Sequence, residues 1–478
     1  MADFIALHKF GGMTMCLTDS DISISSALPS HGGIIHPLRR AGNGRKILTS
    51  LFVAAVHATR GYDLLRSRST CDGRTWHYTH PDGARDWSVP PSGRVVVVGP
   101  GKAVASLARG LEAVLGDRIT DGCVIVKYDH VEPLSHIELL EAGHPAPDAA
   151  GVAAPQALLS RLGGLTADDR VFILLTAWAS ALSLSPTAGL TLEDKVDTTN
   201  ILLASGASIL EINTLRKCLS KVKGGRLLDA IGPAASMTLM ISDVPTHDPA
   251  MVGSGPTCPD ASMPDEELAI IKRYGVAEKL PARVVECLRQ PDVRTQSRTG
   301  HGSAQHIIVA DAAATLDAVA QAARDCGLDL EVIDPRMNGD THDTAHRFAS
   351  TVRARPDARR PGDPTVVLLA SGETTLEVTG SGKGGRNQEF ALLAAMDLVG
   401  VLGATPLLSG TNRTDGPTDA ARAFADGETM SRAHLAGIDA PALLANNDSC
   451  RFFSEVGDLF ITGPTGTNDM DLVIALID

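Results

Sequence analysis

The sequence predicts an α/β fold whose main domain is a doubly wound parallel sheet, covered by helices on both faces. The chief observation is a series of short apolar runs that alternate with amphipathic helical segments from Arg94 onward, namely RVVVV, GCVIVKY and VFILLTA. Strands that are apolar throughout are typical of parallel sheets, because both of their faces are buried. The length of 478 residues predicts two or three domains.

Composition excludes several classes of protein. The hydrophobic fraction of 44% and the charged fraction of 21% are those of an ordinary globular chain. A formal net charge of −13 argues against nucleic acid as a partner, because a phosphate backbone would be repelled. The eight cysteines are dispersed without C-x-x-C spacing, so we expect reduced thiols, no structural zinc and a cytoplasmic location. No run of about 18 apolar residues occurs, so we expect no membrane partner.

The elements follow in order along the chain. Residues 1–45 show no clear period and are expected to form an arm, after which ILTSLFVAAVHATRGYDLL predicts a helix. The polar segment 66–94 is expected to be a loop or hairpin. The middle holds a helical pattern, LEDKVDTTNILLASG, and a buried strand, TLMISDV. Further on, HIIVADAAATLDAVAQAARDCGLDLEVID predicts strand, helix and strand, and a compact last quarter follows.

A lysine stands at the first strand-to-helix turn of the predicted sheet. The stretch VVVVGPGKAVASLARGL places Lys102 directly after Gly101 at this turn. Open α/β sheets bind ligands at the carboxyl ends of their strands, and helix N–H groups attract anions. From this motif alone, a ligand site and a solvated lysine that opens a helix are about equally favoured.

A glycine-rich loop precedes a helix in the last quarter. The sequence GSGKGGR at 380–386 satisfies G-x-G-x-x-G literally, but it fails the full phosphate-loop pattern because Gly384 follows Lys383 where Ser or Thr is required. Backbone N–H groups, a helix N-terminus and the Arg386 guanidinium are nevertheless suited to an anion. Taken alone, an arginine after glycines is more often a surface residue.

Carboxylates and amides also occur in glycine turns near the C-terminus. They are Asp415, Asp419, Asn468 and Asp469. Such groups can hold a metal or a sugar hydroxyl, although an Asx turn explains each one singly.

Taken together, these segments resemble the type II glycerate kinases, the glycerate 2-kinase or MOFRL family, from about Arg45 to the C-terminus. The matching blocks are GPGKA (99–103), EAGHPAPD (141–148), EINTLRKCLSKVKGGRL (211–227), MISDVP (240–245), GSGPTCPD (253–260), GETT (372–375), GKGGRNQEFAL (382–392), TDGPTDAA (414–421), NDSCRFF (447–453) and TGPTGTN (462–468). The resemblance implies a Rossmann-like N-terminal domain over 46–295, a smaller C-terminal α/β domain over 300–478, and an active site in the cleft between them. It also implies transfer of the γ-phosphoryl group of ATP to the 2-hydroxyl of D-glycerate or a related small hydroxy acid, with Mg²⁺.

The resemblance assigns roles to individual positions. Lys102 and Arg386 are implied to act at the reacting phosphate, and Asp243 to hold Mg²⁺ or accept the hydroxyl proton. The implied and candidate substrate or nucleotide positions are Gly101, Ser180, Arg216, Lys223, Glu373, Gly384, Gly385, Asn412, Asp415 and Asn468. A substrate carboxylate needs a further cation, for which Arg216, Lys217, Lys221 and Lys223 are candidates, with a basic helix face as the alternative.

Departures from the family pattern keep three functions open. Ala177 and Trp178 replace small flexible residues, and Asn412 stands where the family has a carboxylate. An active kinase, a ligand-binding relative that has lost catalysis, and an NAD(P)-dependent hydroxypyruvate reductase are the alternatives. The sequence also leaves open whether the chain forms a homodimer.

Overall fold

The structure is a computed structural model. It describes residues 36–143, 148–176, 179–244, 248–260, 262, 265–290, 302–355, 363–401, 403–410, 415, 416, 418, 420, 422–462, 465–467 and 470–478. The chain forms two compact units. We call Arg60–Val309 the central unit, and Met1–Thr59 together with Ala310–Asp478 the terminal unit.

The first described helix, α1 (His36–Thr59), belongs to the terminal unit. Its first ten residues, 36–45, fall within the expected arm. Its residues Leu48, Leu51, Phe52 and Ala55 recur at helical spacing and are buried in one core with Val319. The expected domain start at residue 46 therefore falls inside a helix that packs with the C-terminal part of the chain.

In its described residues the central unit contains nine α-helices and nine strands. The helices are α2 (Gly61–Arg68), α3 (Val104–Leu115), α4 (Ala150–Arg161), α5 (Ala179–Leu182), α6 (Leu192–Ala204), α7 (Ile209–Cys218), α8 (Arg226–Ile231), α9 (Glu266–Tyr274) and α10 (Ala282–Arg289). The strands are β1 (Ser69–Asp72), β2 (Thr75–His80), β3 (Gly83–Ser88), β4 (Val95–Pro100), β5 (Asp121–Lys127), β6 (Glu138–Ala142), β7 (Arg170–Leu175), β8 (Ala235–Ile241) and β9 (Ala304–Ala310).

The main sheet of the central unit has the strand order β6-β5-β4-β7-β8-β9. The registers of β4 to β8 are parallel, which confirms the predicted doubly wound sheet. The chain passes from β4 to β5 and β6 on one side, and then returns to β7 on the other side of β4. The topological switch point therefore lies between β4 and β7, where open α/β sheets bind their ligands.

The polar segment expected to be a loop or hairpin is a small antiparallel sheet, β1-β2-β3. Its aromatic side chains explain why it is ordered. Trp76 stacks on Tyr78 with 5.4 Å between ring centroids, and Trp76 and Trp87 each make a T-shaped contact with Phe172 in β7. The hairpin interpretation was therefore closer to the structure than a loop.

The terminal unit is built around a mixed sheet in the order β10-β11-β15-β12-β13-β14. Its strands are β10 (Asp329–Met337), β11 (Val366–Gly372), β12 (Ala404–Gly410), β13 (Arg422–Phe424), β14 (Leu459–Phe460) and β15 (Asp471–Ile477). Its further helices are α11 (Ala312–Asp325), α12 (Thr341–Ala354), α13 (Arg386–Asp397), α14 (Thr429–Leu435), α15 (Ala440–Ala445) and α16 (Ser449–Val456). Within this sheet β10 and β11 pair in parallel, and the other registered pairs of its described strands are antiparallel.

The strand–helix–strand predicted from HIIVADAAATLDAVAQAARDCGLDLEVID is present as β9, α11 and β10. Its two strands belong to different sheets, so it is not a crossover within one sheet. No helix in the described part of the chain combines the length and apolar character needed to cross a membrane. The seven cysteines that the structure describes are free thiols.

Candidate functional site

The turn after β4 is shaped by contact with the end of β7. Gly101 has a φ of +152°, and a Cβ atom there would lie 2.4 Å from Thr176 Oγ1. The same oxygen accepts a hydrogen bond from the backbone N–H of Ala103 at 3.1 Å. Glycine is therefore required by the neighbouring strand. Lys102 follows with only 6% of its surface exposed, so the interpretation as a solvated lysine is wrong.

Two further predicted residues, Ser180 and Lys223, meet at the carboxyl end of β7. The backbone N–H of Ala179, at the start of α5, donates to the carbonyl of Thr176 at 3.2 Å. Next in α5, Ser180 Oγ lies 3.0 Å from Ser254 Oγ. Lys223 Nζ donates to the Ser180 carbonyl at 2.6 Å and also contacts Ser180 Oγ. The structure thus links the Gly101 turn, through Thr176, to Ser180 and Lys223.

A lysine that the sequence analysis did not select belongs with this group. Lys195 in α6 is 7% exposed, and its Nζ has no hydrogen-bond partner among the described residues. Burial and the charge of Arg216 lower the pKa of Lys195 to about 8. Burial, and then repulsion from Arg216 and Lys195, hold the pKa of Lys223 well below its ordinary value. Lys195 was missed because its segment was interpreted only as a helix, whose start a Thr191–Asp194 capping box fixes.

The other basic candidates of this block do not join the group. Lys217 Nζ pairs with Asp260 at 3.1 Å, and Lys221 is exposed. Of the four basic candidates, Arg216 and Lys223 are therefore the two that interact electrostatically with Lys195.

Asp243 follows the end of β8 by two residues and is partly exposed. Because β4, β7 and β8 are parallel, Asp243 lies at the same edge of the sheet as Lys102 and Thr176. Within the described residues, no three His, Cys, Asp or Glu side chains form a metal-binding group. Mg²⁺ commonly takes one or two protein carboxylates and completes its shell with water and phosphate oxygens, so a single aspartate fits it.

Arg386 opens α13 and is held by two carboxylates. Its Nε and one terminal nitrogen donate to the two oxygens of Asp471 at 2.5 and 3.2 Å, and the other terminal nitrogen donates to Glu373 Oε1 at 2.6 Å. Burial lowers the pKa of Arg386, but the charges of Asp471 and Glu373 outweigh it, so the pKa is raised above its ordinary value. Asp471 also accepts from the Asn387 side-chain amide at 3.0 Å.

Asp471 is a site residue that the sequence analysis missed. It is the first residue of β15, and a carboxylate at the start of an apolar strand is the one signal that the sequence offers. The structure brings it together with Arg386 and Glu373, two residues that were selected.

Asp415 caps the same helix from a distant part of the chain. Its carboxylate accepts from the backbone N–H groups of Asn387 at 3.2 Å and Gln388 at 2.7 Å. Burial raises the pKa of Asp415 to about 7, although these hydrogen bonds act in the opposite direction and the charge of Asp471 adds to the rise. This geometry gives Asp415 a structural role, while its binding of a ligand stays a prediction.

The glycine-rich loop packs against the chain itself. The N–H groups of residues 379–383 donate to Asn446, Asn447 and Asp448, so the expectation that they are available for an anion is wrong. A Cβ atom at Gly384 would lie 2.3 Å from Ser449 Oγ, and one at Gly385 would lie 2.3 Å from Asp415 Oδ1. Close packing therefore explains these glycines, and ligand binding by Gly384 and Gly385 stays a prediction.

Replacing Gly385 with alanine tests this packing. We expect Gly385→Ala to lower the free energy of unfolding by about 1–3 kcal/mol, because the added methyl group forces Asp415 away from the helix N-terminus. Urea denaturation measures the effect. Gly163→Ala is the control, since its Cβ atom would meet only Ser160 O at 3.4 Å. Equal stability of the two variants would contradict the packing explanation.

Several predicted positions lie outside the described residues. They are Ala177, Trp178, Asn412, Asp419, Asn468 and Asp469. Lys102 and Arg386 belong to different units, and the expectation that they act on one phosphate stays a prediction.

The chain is similar to known families over most of its length. Residues 47–289 match a family described as a domain of unknown function (DUF4147), and residues 366–471 match the MOFRL family. The chain is 38% identical to a "Putative hydroxypyruvate reductase" of Agrobacterium vitis, over 81% of this chain and 88% of that protein. It is 37% identical to a "D-glycerate 2-kinase" of Thermotoga maritima, over 80% of this chain and 91% of that protein.

A solved structure agrees with these matches. The crystal structure of a glycerate kinase from Thermotoga maritima superposes with a TM-score of 0.77 at 32% sequence identity, covering 91% of this chain and all of that one. The chain belongs to the type II glycerate kinase family, with the MOFRL domain at its C-terminal end.

Proposed function

We propose that the protein is a phosphotransferase that moves the γ-phosphoryl group of ATP to the 2-hydroxyl of D-glycerate or a related small hydroxy acid. The observation that carries the proposal is the burial of Lys102 at the carboxyl end of β4, beside the switch point of the parallel sheet. A cation at this place is suited to a phosphate ligand. The relatives named glycerate kinases support the reaction class.

Phosphoryl transfer depends mainly on alignment and on neutralisation of charge. The Lys102 ammonium is proposed to stabilise the oxygens of the transferring group. A guanidinium has five N–H donors, and Asp471 and Glu373 take three of those of Arg386. The two remaining donors are available to phosphate oxygens, and the two carboxylates hold the guanidinium in one orientation.

Asp243 is proposed to hold Mg²⁺ or to accept the proton of the substrate hydroxyl. When bound, Mg²⁺ supplies neutralisation of charge on the phosphate oxygens. The position of Asp243 at the edge of the sheet supports both assignments equally, and substitution by asparagine separates them. Asparagine keeps an oxygen ligand but accepts no proton at that oxygen, so retained turnover would favour metal binding.

The reductase alternative has one observation in its favour, the name of the Agrobacterium vitis relative. A dinucleotide fingerprint requires a glycine turn that leads directly from a strand into a helix. Here β11 ends at Gly372, and residues 373–379 separate it from the first glycine of the pattern, Gly380. The N–H groups of the loop also bind residues 446–448 rather than remaining available. The geometry therefore favours the kinase.

A coupled assay of ADP release tests the proposal. We expect turnover with ATP·Mg²⁺ and D-glycerate or another small 2-hydroxy acid, and we expect ATP·Mg²⁺ to raise the melting temperature by mass action. Stabilisation by ATP without turnover on any acid would support a binding protein that has lost catalysis. Stabilisation by NADH, with no effect of ATP or ADP, would support the reductase.

A further inference from the structure

The central unit brings together the cationic side chains of two buried lysines and a half-buried arginine. Lys195 comes from α6, Arg216 from α7, and Lys223 from the turn that follows α7. Lys223 is 1% exposed, which is a smaller exposed fraction than that of Lys195 or Arg216. The charges of Lys195 and Arg216 both act on Lys223, and the charge of Arg216 acts on Lys195. Two buried lysines and a half-buried arginine are thus close enough for their charges to act on one another.

The acidic side chains of the same region bond elsewhere. Among the described residues, each of these carboxylates accepts hydrogen bonds from other side chains or from the backbone. Asp194 accepts from Thr191 and Arg283, and Glu211 accepts from Ser208, Arg273 and Tyr274. Asp260 accepts from Lys217 and Ser262, and Glu267 accepts from Cys218. Glu193 and Asp197 on α6 are exposed. No carboxylate of the described chain is among the groups that shift the pKa of Lys195 or Lys223.

Such an arrangement is unfavourable for the protein alone. A buried cation costs free energy unless an opposite charge or strong acceptors compensate it. Lys195 Nζ has no acceptor among the described residues, and Lys223 Nζ donates to the uncharged oxygens of Ser180. An oxyanion would supply both the missing charge and the missing acceptors.

We propose that Lys195, Arg216 and Lys223 form a largely buried subsite that binds an oxyanion of one of the two substrates. The subsite adjoins the proposed active site, because Ser180 is linked through Thr176 to the Gly101 turn. The carboxylate of the acceptor and a phosphate group of the nucleotide share this chemistry. The identity of the ligand rests on the proposed function, whereas the existence of the subsite does not.

Substitution of Lys195 tests the subsite without relying on turnover. The variants are Lys195→Met and the control Lys279→Met, which removes an exposed lysine from the same unit. Binding of D-glycerate, ATP·Mg²⁺ and inorganic phosphate is measured by calorimetry at pH 8.5 in two buffers of different ionisation enthalpy. We expect Lys195→Met to weaken the binding of one of the two substrates by roughly tenfold or more, with no such effect in the control.

Proton uptake and stability distinguish a binding role from a structural one. The pKa of Lys195, about 8, should rise when an anion binds, so the wild type should take up protons at pH 8.5 and Lys195→Met fewer. The ligand-free Lys195→Met variant should melt no lower than the wild type, because it loses an uncompensated buried charge.

Each result has a defined meaning. Weakened binding of D-glycerate alone identifies a carboxylate subsite, and weakened binding of ATP alone identifies a phosphate subsite. The proposal is overturned if Lys195→Met binds every probe as the control does, or if the wild type binds none of the three. If binding depends on Lys195 but no acid is phosphorylated, the proposed kinase function fails and the subsite remains.

Discussion

Replacing Lys102 with methionine is expected to lower the rate of ADP release by about a hundredfold to a thousandfold, the usual cost of losing one preorganised electrostatic contact to a transition state. The side chain is buried at the switch point of the sheet, where its charge acts with little screening by water. Methionine has a similar length and fills the same space, so the fold should be retained. Steady-state kinetics with ATP·Mg²⁺ and the best acceptor measure the effect.

The control for Lys102→Met is Lys279→Met, which removes an exposed lysine from the same unit. A loss confined to kcat would show that Lys102 acts on the transition state. A rise in KM for ATP alone would show that Lys102 binds the nucleotide equally well in the ground state and in the transition state. Wild-type kinetics in Lys102→Met, with a normal melting temperature, would remove Lys102 from the site.

The parallel sheet and the position of Lys102 could both be predicted from the sequence. Strands β4, β5 and β7 are buried on both faces, so their residues are apolar without alternation. This pattern can be recognised in one sequence without an alignment. The turn after β4 then follows from the rule that ligands lie at the carboxyl ends of such strands. Local pattern was sufficient because each of these features is determined over fewer than about ten residues.

The features that were missed depend on contacts between distant parts of the chain. Arg386 and Asp471 are 85 residues apart, and nothing local to either one predicts the pair. The glycines of 380–385 are equally compatible with a phosphate and with close packing, and the positions of Asp415 and residues 446–449 decide for packing. Lys195 is one lysine on an amphipathic helix until the burial of its ammonium group is known.

Removing Arg386 is expected to destabilise the protein more than removing Asp471, although the two residues form one ion pair. The Asp471 side chain is 2% exposed, whereas that of Arg386 is 26% exposed. Arg386→Ala leaves a buried carboxylate whose remaining side-chain donor among the described residues is the Asn387 amide, at a cost of about 3–5 kcal/mol. Asp471→Ala leaves a guanidinium that water reaches and that still pairs with Glu373, so its cost should be smaller.

Urea denaturation of both variants, together with Arg386→Lys, measures this asymmetry. Lysine keeps the charge but cannot form the bidentate contact with Asp471. The stability of Arg386→Lys should therefore lie between those of the wild type and Arg386→Ala. Turnover should respond differently from stability. Because Asp471 orients the donors that Arg386 offers to phosphate oxygens, Asp471→Ala should lose most of kcat while remaining largely folded at assay temperature. Equal destabilisation by the two alanine variants would contradict the burial argument, and wild-type kcat in Asp471→Ala would show that the pair serves the fold alone.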